Sequence, residues 1–140
     1  MSAKPSSAIT VVLVVIGVIT ATPVFALVDP DFLRWTYSVT APDHMTLALL
    51  QHRGVLQLAL GTALVWAGFF TPARVPVLAA ASVTKGTFLA LLLPYPDLRG
   101  DVTLFSIVFD SACVVFFVAF LVAMTRARRV SERSSALPAG

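Results

Sequence analysis

Three ionisable residues stand inside long apolar runs of this chain: Arg53, Lys85 and Asp110. An arginine deep in a bilayer costs on the order of 2.5–3.5 kcal/mol on insertion scales, so it usually faces a bundle interior, water or a partner charge. At a rise of about 1.5 Å per residue, each of the three lies about 12 Å below the same outer side of the predicted membrane. We therefore predict one charged layer, in which Asp110 pairs with Arg53 or Lys85 and one positive charge is left over.

Other polar side chains accompany this layer at helical spacing. Gln57 follows Arg53 by four residues and Ser106 precedes Asp110 by four, so each shares a helix face with its neighbour. One interpretation is a buried ion network that fixes helix register, with Gln57 and Ser106 satisfying the leftover donors. The other is a site whose spare positive charge holds a lipid headgroup, a quinone oxygen or a carboxylate. The candidate ligand-binding residues are His52, Arg53, Gln57, Lys85, Ser106 and Asp110.

Four apolar segments of about 20 residues contain the layer or surround it, which is the length that a membrane-spanning helix needs. We predict spans over residues 8–28, 45–70, 75–93 and 102–124, with short connections between them. Small residues allow close approach of helices in a membrane. The glycines at positions 54, 61 and 68 recur every seven residues, so they predict a packing seam along the second span.

The first apolar segment allows two interpretations. Lys4 before the apolar run, and Val24-Phe25-Ala26 near its end, resemble a signal peptide with its cleavage site. The run is nevertheless longer than a signal core of about 7–15 residues. We therefore predict a retained span, so that residues 1–125 form one membrane domain. Residues 126–140 are low in hydrophobicity and are predicted to form a basic, disordered tail.

The first polar loop, residues 29–44, precedes the second span. Trp35 and Tyr37 in this loop are of the types that sit at the level of lipid headgroups, and we predict both as interfacial anchors. The loop is long enough to contain a short helix along the membrane surface.

Composition excludes several classes of protein. The chain is 58% hydrophobic and 12% charged, against about 25% charged residues in a soluble domain. Most of its basic residues flank or enter apolar segments, which favours lipid headgroups over nucleic acid. Cys113 is the single cysteine, which rules out a CxxC redox pair or vitamin K epoxide reductase chemistry. His44 and His52 lie about two turns apart with few other ligands nearby, so no metal site is predicted. No catalytic residues are assigned.

Basic residues near the span ends predict the orientation. Arg34 and Arg99 fall on one side, together with five aspartates. The opposite side carries Lys4, Arg74, Arg126, Arg128, Arg129 and Arg133. Both termini are therefore predicted to be cytoplasmic. Richness in alanine, valine and arginine is typical of a high-GC bacterium. We predict a protein of the plasma (bacterial inner) membrane.

Single residues within positions 50–115 resemble small membrane proteins of the DoxX-like group. They are Arg53-Gly54 followed by Gly61, Pro72-Ala73-Arg74 in the turn, Lys85 and Asp110. The resemblance implies a compact four-helix bundle. For the DoxX group proper, it also implies association with membrane oxidoreductases or quinone-linked sulfur metabolism. Small multidrug exporters are similar in size, but they depend on a glutamate in the first span, which this chain lacks.

We predict an all-α integral membrane bundle of four antiparallel helices. Its predicted role is that of a non-catalytic accessory subunit, associated with a membrane protein partner or with copies of itself. Its charged layer would bind a lipid or a quinone-like molecule, and no other cofactor is predicted. Two alternatives are a small enzyme or redox component that acts on a lipophilic substrate, and a transporter or channel that uses Asp110 and Lys85.

Overall fold

A computed structural model describes residues 7–38 and 41–135 of the chain, except for the side chains of Trp35, Arg128 and residues 132–135. Expectations for Lys4, for the side chains of Trp35, Arg128 and Arg133 and for residues 136–140 therefore lie outside the described residues. The described part contains helices and no strands. In chain order they are α1 Ser7–Ala21, a 3₁₀ helix Thr22–Leu27, α2 Phe32–Tyr37, α3 His44–Phe69, a 3₁₀ turn Thr71–Ala73, α4 Arg74–Leu92, α5 Pro96–Gly100 and α6 Leu104–Ser135.

Within residues 7–38 and 41–135, three helical segments are long and apolar enough to cross a membrane: Ser7–Leu27, Thr71–Leu92 and Leu104–Ser131. They correspond to the first, third and fourth predicted spans. The second predicted span, residues 45–70, is not among them. Helix α3 is long enough, with 26 residues, but its polar residues Gln51, His52, Arg53 and Gln57 lower its mean hydropathy.

Glycines bring α1 and α3 into close antiparallel contact. A Cβ atom added at Gly17 would lie 2.6 Å from the carbonyl oxygen of Gly61, and one added at Gly54 would lie 2.7 Å from that of Pro23. One added at Gly68 would lie 3.3 Å from the carbonyl oxygen of Thr10. The seam predicted from glycines 54, 61 and 68 is confirmed, and it packs against α1 and the 3₁₀ helix that follows α1.

Pro23 changes the conformation at the end of the first apolar segment. The α-helix ends at Ala21, and the chain continues as a 3₁₀ helix with the proline in its first turn. Proline has no backbone N–H and cannot continue an α-helical ladder without losing a hydrogen bond. In this 3₁₀ helix, Ala26 is fully buried, and its carbonyl oxygen accepts a hydrogen bond from Gln51 Nε2 of α3 at 3.1 Å.

A buried arginine joins α3 to α4. Arg74 is only 5% exposed, and its Nε and Nη2 atoms each donate a 3.0 Å hydrogen bond, to the carbonyl oxygens of Ala67 and Gly68. These carbonyls belong to the last turn of α3, where intrahelical partners are missing and a positive charge is favourable. Thr10 of α1 also donates to the Gly68 carbonyl oxygen, at 2.8 Å. Helices α1, α3 and α4 are thus connected at one end of the bundle.

Helices α4 and α6 pack through the main hydrophobic core. Leu78 and Ala81 of α4 and Phe117 of α6 are fully buried, and they belong to one cluster with Leu13 of α1 and Leu64 of α3. Helix α6 continues to Ser135, whereas a tail without regular structure was predicted from residue 126. Alanine, arginine and glutamate in this stretch are good helix formers, so the helix extends beyond its apolar part.

The first polar loop folds back onto the bundle. It contains the short helix α2, and Leu33 and Tyr37 of that helix are 1% and 8% exposed. Tyr37 was predicted to be an interfacial anchor, and this is wrong because α2 turns its ring inward beside Ala26. Asp43 then caps α3, since its carboxylate accepts hydrogen bonds from the backbone nitrogens of Met45 and Thr46.

Candidate functional site

The charged layer is centred on an ion pair between α4 and α6. Lys85 Nζ lies 2.5 Å from Asp110 Oδ1, and the two side chains are 3% and 9% exposed. The structure therefore selects one of the two pairings that the sequence allowed for Asp110. Lys85 Nζ also lies 5.0 Å from the centre of the Phe109 ring, so the ammonium group is enclosed by the carboxylate and an aromatic face.

Arg53 of α3 lies against aromatic rings. Its guanidinium carbon is 4.1 Å from the centre of the Phe88 ring and 5.4 Å from the centre of the Tyr37 ring. The only ion pair among the described residues is that of Lys85 with Asp110, so Arg53 has no carboxylate partner there. The Tyr37 hydroxyl forms a side-chain hydrogen bond with Arg53, and because a guanidinium has five N–H donors, others are left for a further acceptor.

Two polar atoms near Arg53 are buried without a hydrogen-bond partner. They are Thr20 Oγ1 on α1 and Gln57 Oε1 on α3. The sequence interpretation that Gln57 satisfies leftover donors of the layer is therefore wrong for its Oε1 atom. Ser106 was given the same role, but its hydroxyl lies 2.9 Å from that of Thr103, within α6 and its preceding turn.

These residues surround one cavity of about 350 Å³. Its polar residues are those of the charged layer together with Gln57, Ser106 and three threonines, Thr20, Thr22 and Thr36, whereas the rest of the wall is aromatic and aliphatic. It is bounded by α1, the 3₁₀ helix after α1, and helices α2, α3, α4 and α6. Its lining residues are Ile19, Thr20, Thr22, Pro23, Phe25, Phe32, Thr36, Tyr37, Arg53, Gln57, Lys85, Phe88, Phe105, Ser106, Phe109 and Asp110.

A second cavity of about 250 Å³ approaches the same layer from between α3 and α4. It shares Arg53, Gln57, Lys85, Phe88 and Asp110 with the first cavity. Its outer rim consists of Leu56, Thr84, Thr87 and Leu91, all exposed on the two helices. The charged layer can therefore be reached from the side of the bundle.

Tyr37 lines the first cavity, and its side chain is a neutral phenol. Burial raises the pKa of its hydroxyl above the ordinary value of 10.0, and the nearby positive charge of Arg53 only partly opposes this effect. A neutral phenol can donate or accept a hydrogen bond, but it does not neutralise the guanidinium.

The structure brings together five of the six candidate residues. Arg53, Gln57, Lys85, Ser106 and Asp110 all line the cavity. His52 is exposed on another face of α3 and does not belong to the site, as its rotation of about 100° from Arg53 allows.

Sequence reasoning missed the cavity residues Thr20, Tyr37 and Phe88. Thr20 and Tyr37 lie in segments with no ionisable residue at the level of the layer, so charge gave no signal for them. The available cue for Thr20 was the interruption of the first apolar run by Thr20, Thr22 and Pro23. Phe88 follows Lys85 by three residues on α4, so their shared helix face was the available cue for it.

The described residues show neither a metal site nor a reactive thiol. No group of three histidine, cysteine, aspartate or glutamate side chains lies close enough to hold a metal ion within residues 7–38 and 41–135. Cys113 is 3% exposed and packs in the main core next to Phe117.

The fold and the site define a class: an all-helical protein with helices long and apolar enough to cross a membrane and a cavity between them that is lined by charged and aromatic residues. Comparison of the chain with protein-family models, with curated proteins and with solved structures finds no match.

Proposed function

We propose that this protein is a four-span membrane protein that binds an amphipathic molecule, a lipid or a quinone-like compound, in the cavity beside its charged layer. The polar head of the ligand lies against Arg53 and the Lys85–Asp110 pair, and its apolar body lies against the aromatic wall. The role is non-catalytic, and the DoxX-like resemblance supports an accessory position beside a partner protein in the plasma membrane.

The proposal adds α3 as a membrane span to the three segments that are apolar enough by composition; it is the second span in chain order. Its 26 residues extend for about 39 Å, which is enough to cross the apolar core of a bilayer. Its polar residues Arg53 and Gln57 face the cavity and not the lipid, which lowers the cost of placing them in a membrane. With this span, the basic residues near the helix ends favour cytoplasmic termini.

The observation that carries the proposal is the pair of buried polar atoms without partners, Thr20 Oγ1 and Gln57 Oε1, in the wall of one cavity. A buried polar group without a hydrogen bond costs about 1–3 kcal/mol, and a ligand that supplies the missing bonds recovers this energy. Ligand sites are typically apolar cavities of about 300–1,000 Å³ with a few polar groups that fix orientation, and this cavity fits that description.

Native mass spectrometry after gentle detergent extraction from the source membrane tests the proposal. We expect a bound small molecule on the wild-type protein and its loss from a Ser106→Phe variant, because the new ring fills the cavity. Ala112→Phe adds the same ring on the exposed face of the same helix and should keep the ligand. A wild-type protein that carries no small molecule, or a ligand that survives Ser106→Phe, would contradict the proposal.

A further inference from the structure

The charges that line the cavity do not balance. Lys85 and Asp110 neutralise each other as an ion pair, whereas Arg53 has no acidic partner among the described residues. Asp110 is the only acidic side chain in the described wall of the cavity. An uncompensated cation in an apolar surrounding is unfavourable, so the cavity with its present residues favours a ligand with a negative charge.

Arg53 contacts aromatic residues and no carboxylate. Its guanidinium carbon lies 4.1 Å from the centre of the Phe88 ring and 5.4 Å from that of Tyr37, whose hydroxyl also forms a side-chain hydrogen bond with Arg53. A guanidinium has five N–H donors, so one neutral hydroxyl does not occupy them all. The planar fork of arginine matches two oxygen atoms of a carboxylate or a phosphate. Thr20, which is 3% exposed and has no hydrogen-bond partner for its hydroxyl, lines the same cavity as Arg53.

The remainder of the wall fits a hydrocarbon body. Phe25 and Phe32 meet edge to face with ring centres 6.0 Å apart, and Phe105 and Phe109 are stacked at 5.7 Å. All four rings line the cavity, and none of them carries a polar group. A free inorganic anion would leave this aromatic surface without an apolar partner.

We propose that the ligand is an acidic amphiphile, a molecule with a carboxylate or phosphate head bound by Arg53 and an apolar chain bound by the aromatic wall. This inference rests on the proposed function and specifies the chemistry of the ligand. It excludes neutral quinones and neutral lipids as the preferred occupants. The acidic head belongs either to a free fatty acid or to an anionic lipid of the bilayer.

Equilibrium binding to the full chain in nanodiscs of phosphatidylcholine tests the inference with two matched probes, radiolabelled oleate and its uncharged methyl ester. We expect oleate to bind roughly 10- to 100-fold more tightly, which is the range of a hydrogen bond to a charged group. Arg53→Gln should abolish this preference and Arg53→Lys should keep part of it, since lysine retains the charge without the fork. His52→Gln changes the exposed neighbour and should behave as the wild type does.

The possible outcomes separate this inference from the proposed function. Oleate and methyl oleate binding equally well, with both lost in Ser106→Phe, would overturn the acidic ligand and leave a ligand-binding cavity. Binding of neither probe beyond the level in Ser106→Phe would overturn both. Because the comparison of the two probes uses the wild-type protein, it holds even where an Arg53 variant fails to fold. Phosphatidylglycerol added to the nanodiscs distinguishes the two sources of the acidic head. If it displaces oleate, the natural ligand is an anionic lipid of the bilayer; if it does not displace oleate, the natural ligand is a free fatty acid.

Discussion

Two glycines in the middle of long helices should respond in opposite directions to the same substitution. At Gly61, an added methyl group would meet backbone atoms of Gly17 and Ala21, and would lie 3.0 Å from the Cβ atom of Ala21. At Gly86 of α4, the added methyl group would meet no atom within 4 Å. A comparison of Gly61→Ala with Gly86→Ala therefore separates the cost of disturbing the contact between α1 and α3 from the general effect of replacing glycine by alanine in a helix.

The magnitudes follow from these contacts. Overpacking costs about 1–3 kcal/mol, and the upper part of this range applies to Gly61 because backbone atoms of the opposing helix cannot move aside. Replacing glycine by alanine inside a helix contributes about 0.5–1 kcal/mol of stability. We expect Gly61→Ala to lower the free energy of unfolding by about 1–2 kcal/mol, and Gly86→Ala to raise it by about 0.5–1 kcal/mol.

The free energy of unfolding can be measured by SDS titration of each variant in a mild detergent, with far-UV circular dichroism to follow the loss of helix. Both variants should elute as single species before the titration, so that the comparison concerns folded proteins. If Gly61→Ala were as stable as Gly86→Ala, the close contact between α1 and α3 would be refuted.

Two further predictions concern single carboxylates. Asp110→Ala should lower the free energy of unfolding by about 3–5 kcal/mol in the same titration, because it leaves Lys85 buried without a partner, whereas the exposed His52→Ala control should change it little. Equal stability of these two variants would contradict the buried pair. For Asp43, hydrogen bonds from Thr46 and Met45 hold the pKa of the carboxyl below its ordinary value of 3.8. Its capping contribution is therefore complete above that value and is lost as the pH falls through the lowered pKa. The melting temperature of Asp43→Ala should accordingly lie furthest below that of the wild type at neutral pH, and the difference should become smaller in acid. A difference that is independent of pH would count against the cap.

The sequence predicted that the three charged residues lie at one level of the bundle, but not how their helices are rotated. Depth depends on residue count alone, so Arg53, Lys85 and Asp110 could be placed at one level before the structure was known. Which cation meets Asp110 depends on how α3, α4 and α6 are rotated about their axes. Packing of many side chains sets that rotation, and single charges carry little information about it.

The aromatic wall and the folded loop were less accessible to prediction. Tyr37 has the same sequence context as an interfacial anchor, and only the fold of α2 against the 3₁₀ helix shows that it turns inward. The glycine seam was easier to predict, because three small residues at a spacing of seven serve one contact along one helix face. Periodic signals within one helix were thus recovered from sequence, whereas contacts between distant segments required the fold.

The carbonyl oxygen of Gly68 accepts hydrogen bonds from both Thr10 and Arg74, so one atom of α3 holds the ends of α1 and α4. The cavity lies at the opposite end of the bundle, where the Lys85–Asp110 pair joins α4 to α6 and the Gln51–Ala26 hydrogen bond joins α3 to the 3₁₀ helix after α1. A separation of α3 from α4 at the cavity end would therefore leave the hydrogen bonds of Arg74 to Ala67 and Gly68 in place. We expect a long-chain molecule to enter between α3 and α4, through the second cavity, while these bonds keep the two helices joined.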